Sequence, residues 1–198
     1  MHFRPKTLFT LMICFALTIF AWPAYSASKP ITPADQEQIN GLFKTLGIIK
    51  LAGIAPPIDI ELEDLSGKMI RVSDFKGKIV FINFWATWCP DCRVEMPSME
   101  KLFQRFKDRD FAMVAVNLRE SPKKVSAFFK KYKLSFTALL DRKGRTALPF
   151  GIRSIPTTFI LNQKGGLIGK VLGPREWESE AATILFELLI EDKAAPAT

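Results

Sequence analysis

Apolar and polar positions change period several times along this chain, and each change marks an element. Thr32-Pro33 reads as an N-cap and a first-turn proline, and Ile39, Leu42, Phe43 and Leu46 follow at helical spacing. Ala55-Pro56-Pro57 ends that pattern. Ile58-Asp59-Ile60-Glu61-Leu62 and Met69-Ile70-Arg71-Val72 alternate about Ser66-Gly67-Lys68, which predicts a hairpin. Lys78 to Trp85 is almost wholly apolar, as in a strand buried on both faces. Cys92, Met96, Met99, Phe103 and Phe106 then form one helical stripe. Phe111 to Leu118 predicts a second buried strand, and Ser121-Pro122 opens a helix carrying Val125, Phe128, Phe129 and Tyr132. Thr137 to Leu140 predicts a third strand, turned by Asp141-Arg142-Lys143-Gly144. Thr157 to Leu161 and Leu167 to Leu172 predict a hairpin around Lys164-Gly165-Gly166. A last helix is expected to turn Trp177, Ala181, Ile184, Leu185 and Leu188 inward. Strands alternating with helices predict an α/β fold around a central sheet, and the terminal hairpin makes that sheet mixed.

The front of the chain has a different character. Arg4 and Lys6 precede an apolar run from Leu8 to Trp22, and Pro23-Ala24-Tyr25-Ser26-Ala27 offers small residues for cleavage. This order is that of a secretory signal, with an uncleaved membrane anchor as the competing reading. The expected organisation is a signal over 1–27, a helical extension over 28–53, a main domain over 54–191 and a flexible tail over 192–198.

Composition narrows the chemistry. The 198 residues contain three cysteines and one histidine. Loss of the signal removes Cys14 and His2, leaving two cysteines and no histidine. Such a chain cannot run Ser-His-Asp or Cys-His catalysis, and it lacks the commonest zinc and copper ligand. The net charge is +8, with Lys123, Lys124, Lys130, Lys131 and Lys133 the densest basic group. That group reads as a solvated helix face rather than a nucleic-acid surface.

The two remaining cysteines stand as Cys89-Pro90-Asp91-Cys92, directly after the buried strand. With no structural disulfide left to make, the pair reads as a redox couple. Cys89 at a helix start meets free N–H groups and the helix dipole, which favour a thiolate, so it is expected to be the exposed attacking sulfur. Cys92, one turn in on the apolar stripe, is expected to be the shielded resolving sulfur. No second ligand pair accompanies the motif, so neither a metal nor another cofactor is expected.

At these residues the chain resembles the thioredoxin-like superfamily, and in particular its exported TlpA/ResA/CcmG group of thiol-disulfide oxidoreductases. The likeness covers about residues 54–191. Asn83-Phe84-Trp85-Ala86-Thr87-Trp88-Cys89-Pro90-Asp91-Cys92 resembles the active-site strand and turn, Pro97 the proline inside the active-site helix, and Phe150-Gly151-Ile152-Arg153-Ser154-Ile155-Pro156-Thr157 the cis-proline loop. The segment around 119–136 resembles the insert of this group. The resemblance implies a thioredoxin-like fold with an N-terminal hairpin and an inserted helix-containing segment. It implies a cis Ile155-Pro156 bond beside Cys89 and an apolar docking surface at Trp88. It also implies protein thiol or disulfide substrates, apocytochrome c among them, a membrane electron donor and an exported, periplasmic location.

Two positions refine that expectation. Asn83 stands where cytosolic thioredoxin has a buried aspartate, and Glu95 resembles the glutamate that the exported group carries after its second cysteine; it is three residues after Cys92, on the same helix face. A partly desolvated Glu95 carboxyl is expected to exchange a proton with Cys92. Pro90 and Asp91 are the tuning positions. A carboxylate at Asp91 opposes a Cys89 thiolate, with Arg93 as a partial offset, and so favours a reducing couple. The competing readings are a DsbA-like oxidant, a thiol peroxidase and a metallochaperone. Ala86 three before Cys89, where peroxiredoxin-like sites carry threonine, weighs against the peroxidase.

Overall fold

The computed structural model describes residue 2, residues 32–56 and residues 58–192. The expected signal, His2 apart, and the tail beyond Asp192 lie outside the described residues. No helix among the described residues is long and apolar enough to cross a membrane.

The elements are helix α1 (Pro33–Thr45), strands β1 (Ile49–Ile54), β2 (Glu61–Glu63), β3 (Met69–Arg71) and β4 (Ile79–Trp85), helix α2 (Pro90–Phe106), strand β5 (Phe111–Leu118), helix α3 (Pro122–Tyr132), strands β6 (Thr137–Asp141), β7 (Thr157–Leu161) and β8 (Leu167–Leu172), and helix α4 (Glu180–Glu191). Each helix start has a side-chain cap: Thr32, Cys89, Ser121 and Ser179 each accept a backbone N–H of the first turn.

Six strands form one sheet in the order β1-β8-β7-β4-β5-β6. β4, β5 and β6 are parallel, and β7, β8 and β1 add antiparallel pairs, so the sheet is mixed as expected. Period-two alternation sorts β4 between two cores. Ile79, Phe81 and Trp85 join buried residues of all four helices, whereas Val80, Ile82 and Phe84 meet Ile60, Leu62, Val72 and Phe150 on the opposite face. Burying each such side chain stabilises the fold by roughly 1.5–3 kcal/mol.

Four expectations shift. The segment after α1 contributes an edge strand, β1, which pairs with β8. A Cβ at Gly166 would collide with the Gly53 carbonyl, so glycine permits that approach. The hairpin is shorter than its alternation suggested, because Ile58 is exposed and Val72 begins a 3-10 turn. In α4 the buried face is Ala182, Leu185, Phe186, Leu189 and Ile190 rather than Ala181, Ile184 and Leu188. Trp177 is fully buried but precedes the helix. Its ring meets Phe81 edge-on at 4.8 Å, and that packing, not helical periodicity, places it. In α2 Leu102 is buried and Phe103 only partly so.

Candidate active site

β4 ends at Trp85, and a tight turn follows in which the Cys89 N–H donates to the Ala86 carbonyl at 3.2 Å. Thr87 and Trp88 are the two central residues of this turn. Cys89 then caps α2, with Pro90 at the first helical position, where a missing N–H costs nothing. Cys89 and Cys92 form a disulfide with Cα atoms 5.3 Å apart.

The Cys92 N–H lies 3.1 Å from Cys89 Sγ. On reduction this donor and the helix N-terminus both favour a Cys89 thiolate. Cys92 is fully buried, as expected of a shielded sulfur. Cys89 is not the exposed group the sequence suggested, being 3% accessible in the disulfide. Ile155 covers it: the Ile155 carbonyl lies 3.6 Å from Cys89 Sγ, and the Ile155-Pro156 bond is cis. Trp88 is 64% exposed beside this buried pair. Asp91 is exposed on the first turn of α2. Among the described residues Arg93 forms no ion pair with it, so the expected offset is not made by contact.

Glu95 is buried far more deeply than a helix charge at the edge of an apolar stripe, at 1% accessible. One carboxyl oxygen accepts from Trp177 Nε1 at 2.5 Å and from the Arg175 N–H at 3.2 Å; the other accepts from Asn83 Nδ2 at 3.2 Å. Asn83 also donates to Thr158 Oγ1 at 2.9 Å. Burial pushes the Glu95 pKa up to about 7, while the bonds from Trp177, Arg175 and Asn83 partly oppose the rise. A carboxyl near neutral pH, one helical turn from Cys92, can gain and lose a proton under working conditions. Arg175 carries this environment outward, since its Nε donates to the Leu46 carbonyl behind α1 at 2.7 Å.

Sequence reasoning missed Glu120. It lies between β5 and α3 and is buried. It accepts from Thr87 N at 2.6 Å, Thr87 Oγ1 at 2.7 Å, Asn117 Nδ2 at 2.8 Å and Lys124 Nζ at 2.6 Å. Burial pushes its pKa up, but the bonds from Asn117, Lys124 and Thr87 outweigh this and hold it below the usual glutamate value. Asn117 and Lys124 are near it in sequence but do not distinguish it from an ordinary acid after a strand; Thr87, the partner at the active-site turn, is 33 residues away.

The AhpC/TSA family model matches residues 54–169. The thioredoxin-like protein YneN of Bacillus subtilis (strain 168) is 48% identical over 110 residues, covering 54% of this chain and 64% of its own length. The thiol-disulfide oxidoreductase ResA of the same strain is 41% identical over 134 residues, covering 68% of this chain and 74% of its own. The chain therefore spans just under two thirds of YneN. Among solved structures, StoA from Bacillus subtilis superposes with a TM-score of 0.56 at 31% identity, covering 68% of this chain and 98% of that one. A thiol:disulfide interchange protein from Chlorobium tepidum TLS gives 0.61 at 26% identity, covering 70% and 99%. Matched across the strand, turn and helix that hold its cysteine pair, the chain belongs to the AhpC/TSA family and has a thioredoxin-like fold.

Proposed function

We propose that this chain is an exported thiol-disulfide oxidoreductase that works as a dithiol reductase of envelope protein disulfides. The observation that carries this reading is the placement of the pair: Cys89 Sγ caps the N-terminus of α2, 3.1 Å from the Cys92 N–H and 3.6 Å from the Ile155 carbonyl, and Cys92 lies one turn further in, fully buried. The Cys89 thiolate attacks one sulfur of a target disulfide, and the other leaves as a thiolate. Cys92 then attacks Cys89 Sγ, a disulfide forms within the protein, and the target departs with both thiols. Two electrons pass to the target, and each of its sulfurs gains a proton.

Glu95 is assigned the proton bookkeeping at Cys92: as a carboxylate it takes the thiol proton during resolution. Trp88 supplies apolar contact for an incoming peptide, and the Ile155-Pro156 segment supplies backbone beside the reacting sulfur. Asp91 and Pro90 tune the couple, Asp91 in the reducing direction. A dithiol donor at the membrane restores the reduced pair, and apocytochrome c disulfides are among the targets this reading admits. The names of ResA and of the interchange protein support the reaction class. The peroxidase reading loses support at Ala86, which has no hydroxyl, and at Thr87, whose hydroxyl is bound to Glu120.

The test is selective alkylation. The reduced protein, treated with less than one equivalent of iodoacetamide near neutral pH, is expected to be labelled at Cys89 and spared at Cys92. Equal labelling of both sulfurs overturns the assignment. The reduced protein is also expected to cleave insulin disulfides, with Cys89→Ser inactive.

A further inference from the structure

We propose that Glu120 is a positioning residue for the redox pair, acting through Thr87 to fix the turn that presents Trp88 and Cys89. The inference rests on Cys89 being the attacking sulfur and goes beyond it to what holds that sulfur in place.

The turn Ala86–Cys89 has a single backbone bond closing it, from Cys89 N–H to the Ala86 carbonyl at 3.2 Å. Four-residue turns of this kind have several backbone solutions, and one weak bond does not select among them. Thr87 is the first central residue. Both of its donors, the backbone N–H and the hydroxyl, end on the Glu120 carboxylate at 2.6 Å and 2.7 Å. That double attachment fixes the Thr87 side-chain rotamer and the direction of its peptide together. Trp88 and Cys89 follow within the same turn, so their directions are fixed with it.

Glu120 is itself held. Asn117 at the end of β5 and Lys124 in the first turn of α3 bind the same two oxygens. Arg119 beside it adopts φ +61°, a left-handed conformation that a non-glycine residue keeps only where surrounding contacts demand it. Every acceptor oxygen thus faces two donors, and the carboxylate is nearly inaccessible, so these charge-assisted bonds escape most solvent screening. The segment after β5 therefore does more than add α3 to the fold: its first residues brace the active-site turn.

The test compares the unaltered full-length protein with four variants, all in the reduced state. The readouts are the rate of Cys89 attack on dithiobis-nitrobenzoate, an aryl disulfide, and the Cys89 thiol pKa from thiolate absorbance. In that step a Cys89–aryl disulfide forms and one aryl thiolate leaves. Glu120→Gln puts an amide N–H₂ against two donors and is expected to slow attack about tenfold or more, with a shifted thiol pKa. Thr87→Val keeps the N–H but loses the hydroxyl, and is expected to slow attack about threefold. Thr87→Ser restores both donors and is expected to stay within about twofold of the unaltered protein. The double variant Glu120→Gln/Thr87→Val is expected to be no worse than Glu120→Gln alone, because both act through one contact. A folded Glu120→Gln protein with unaltered rate and thiol pKa overturns the proposal, as does multiplication of the two single effects. If Glu120→Gln fails to fold, the Thr87 pair decides: equal rates for Thr87→Val and Thr87→Ser overturn it. An inactive unaltered protein would instead count against the reductase reading.

Discussion

The indole Nε1 of Trp177 and the carboxyl of Glu95 meet at 2.5 Å in the interior, between the loop after β8 and the active-site helix. This bond is the strongest of the contacts that oppose the effect of burial on Glu95. Trp177 is anchored on its other sides by Phe81, at 4.8 Å, and by Ser98 Oγ, which accepts its backbone N–H at 3.2 Å. A donor held this rigidly sets the carboxyl's proton affinity rather than adapting to it.

Trp177→Phe removes the donor and keeps most of the apolar packing. The Glu95 pKa is expected to rise further above about 7, by on the order of one pH unit. The measurement is the pH dependence of the resolving step in stopped flow, whose midpoint should move upward. An unmoved midpoint would detach Glu95 from that step.

Glu95→Gln is expected to slow resolution by about 10²-fold or more near neutral pH, as when a proton-transfer group is lost. It should also flatten the pH profile between about pH 5 and 8. Superimposable profiles for the two proteins would leave Glu95 a purely structural residue.

The same group governs stability in a definite direction. Its pKa is about 7 when folded, against 4.5 for the unfolded chain. Protonation therefore contributes stability that is full below pH 4.5 and is lost as pH rises through about 7. The loss by pH 8 is on the order of 3 kcal/mol. Denaturant unfolding of the oxidised proteins should show Glu95→Gln gaining on the unaltered chain by that order between pH 4.5 and 8. A constant difference across that range would contradict the raised pKa.

Cys92→Ser is expected to accumulate mixed disulfides with protein substrates, because attack by Cys89 survives and resolution does not. Non-reducing electrophoresis after incubation with oxidised insulin reads the adduct. Full turnover by this variant would reverse the roles of the two sulfurs.

Much of this was legible in the chain. Buried parallel strands announce themselves as unbroken apolar runs, and β4 and β5 fall within a residue of expectation. The cysteine pair carries a local signal in its spacing, whereas Pro156 and Glu95 stand out through the resemblance of their surroundings to the thioredoxin-like superfamily. What stayed hidden depends on distant partners. β1 is a strand because β8 offers it an edge across more than a hundred residues, with Lys50 opposite Gly169. Trp177 belongs to a loop whose burial only the fold supplies. Glu120 looks like an ordinary surface acid until Thr87 is brought against it.

The direction of electron flow rests most directly on the reduction potential of the Cys89/Cys92 couple. It is read by equilibrating the protein in glutathione and dithiothreitol buffers and following the fraction of disulfide. The expected potential is nearer that of thioredoxin, about −270 mV, than that of DsbA, about −120 mV. Asp91→His should raise it by tens of millivolts, where 30 mV corresponds to about 1.4 kcal/mol. A potential close to about −120 mV in the unaltered protein would contradict the reductase account and make the chain an oxidant of its targets.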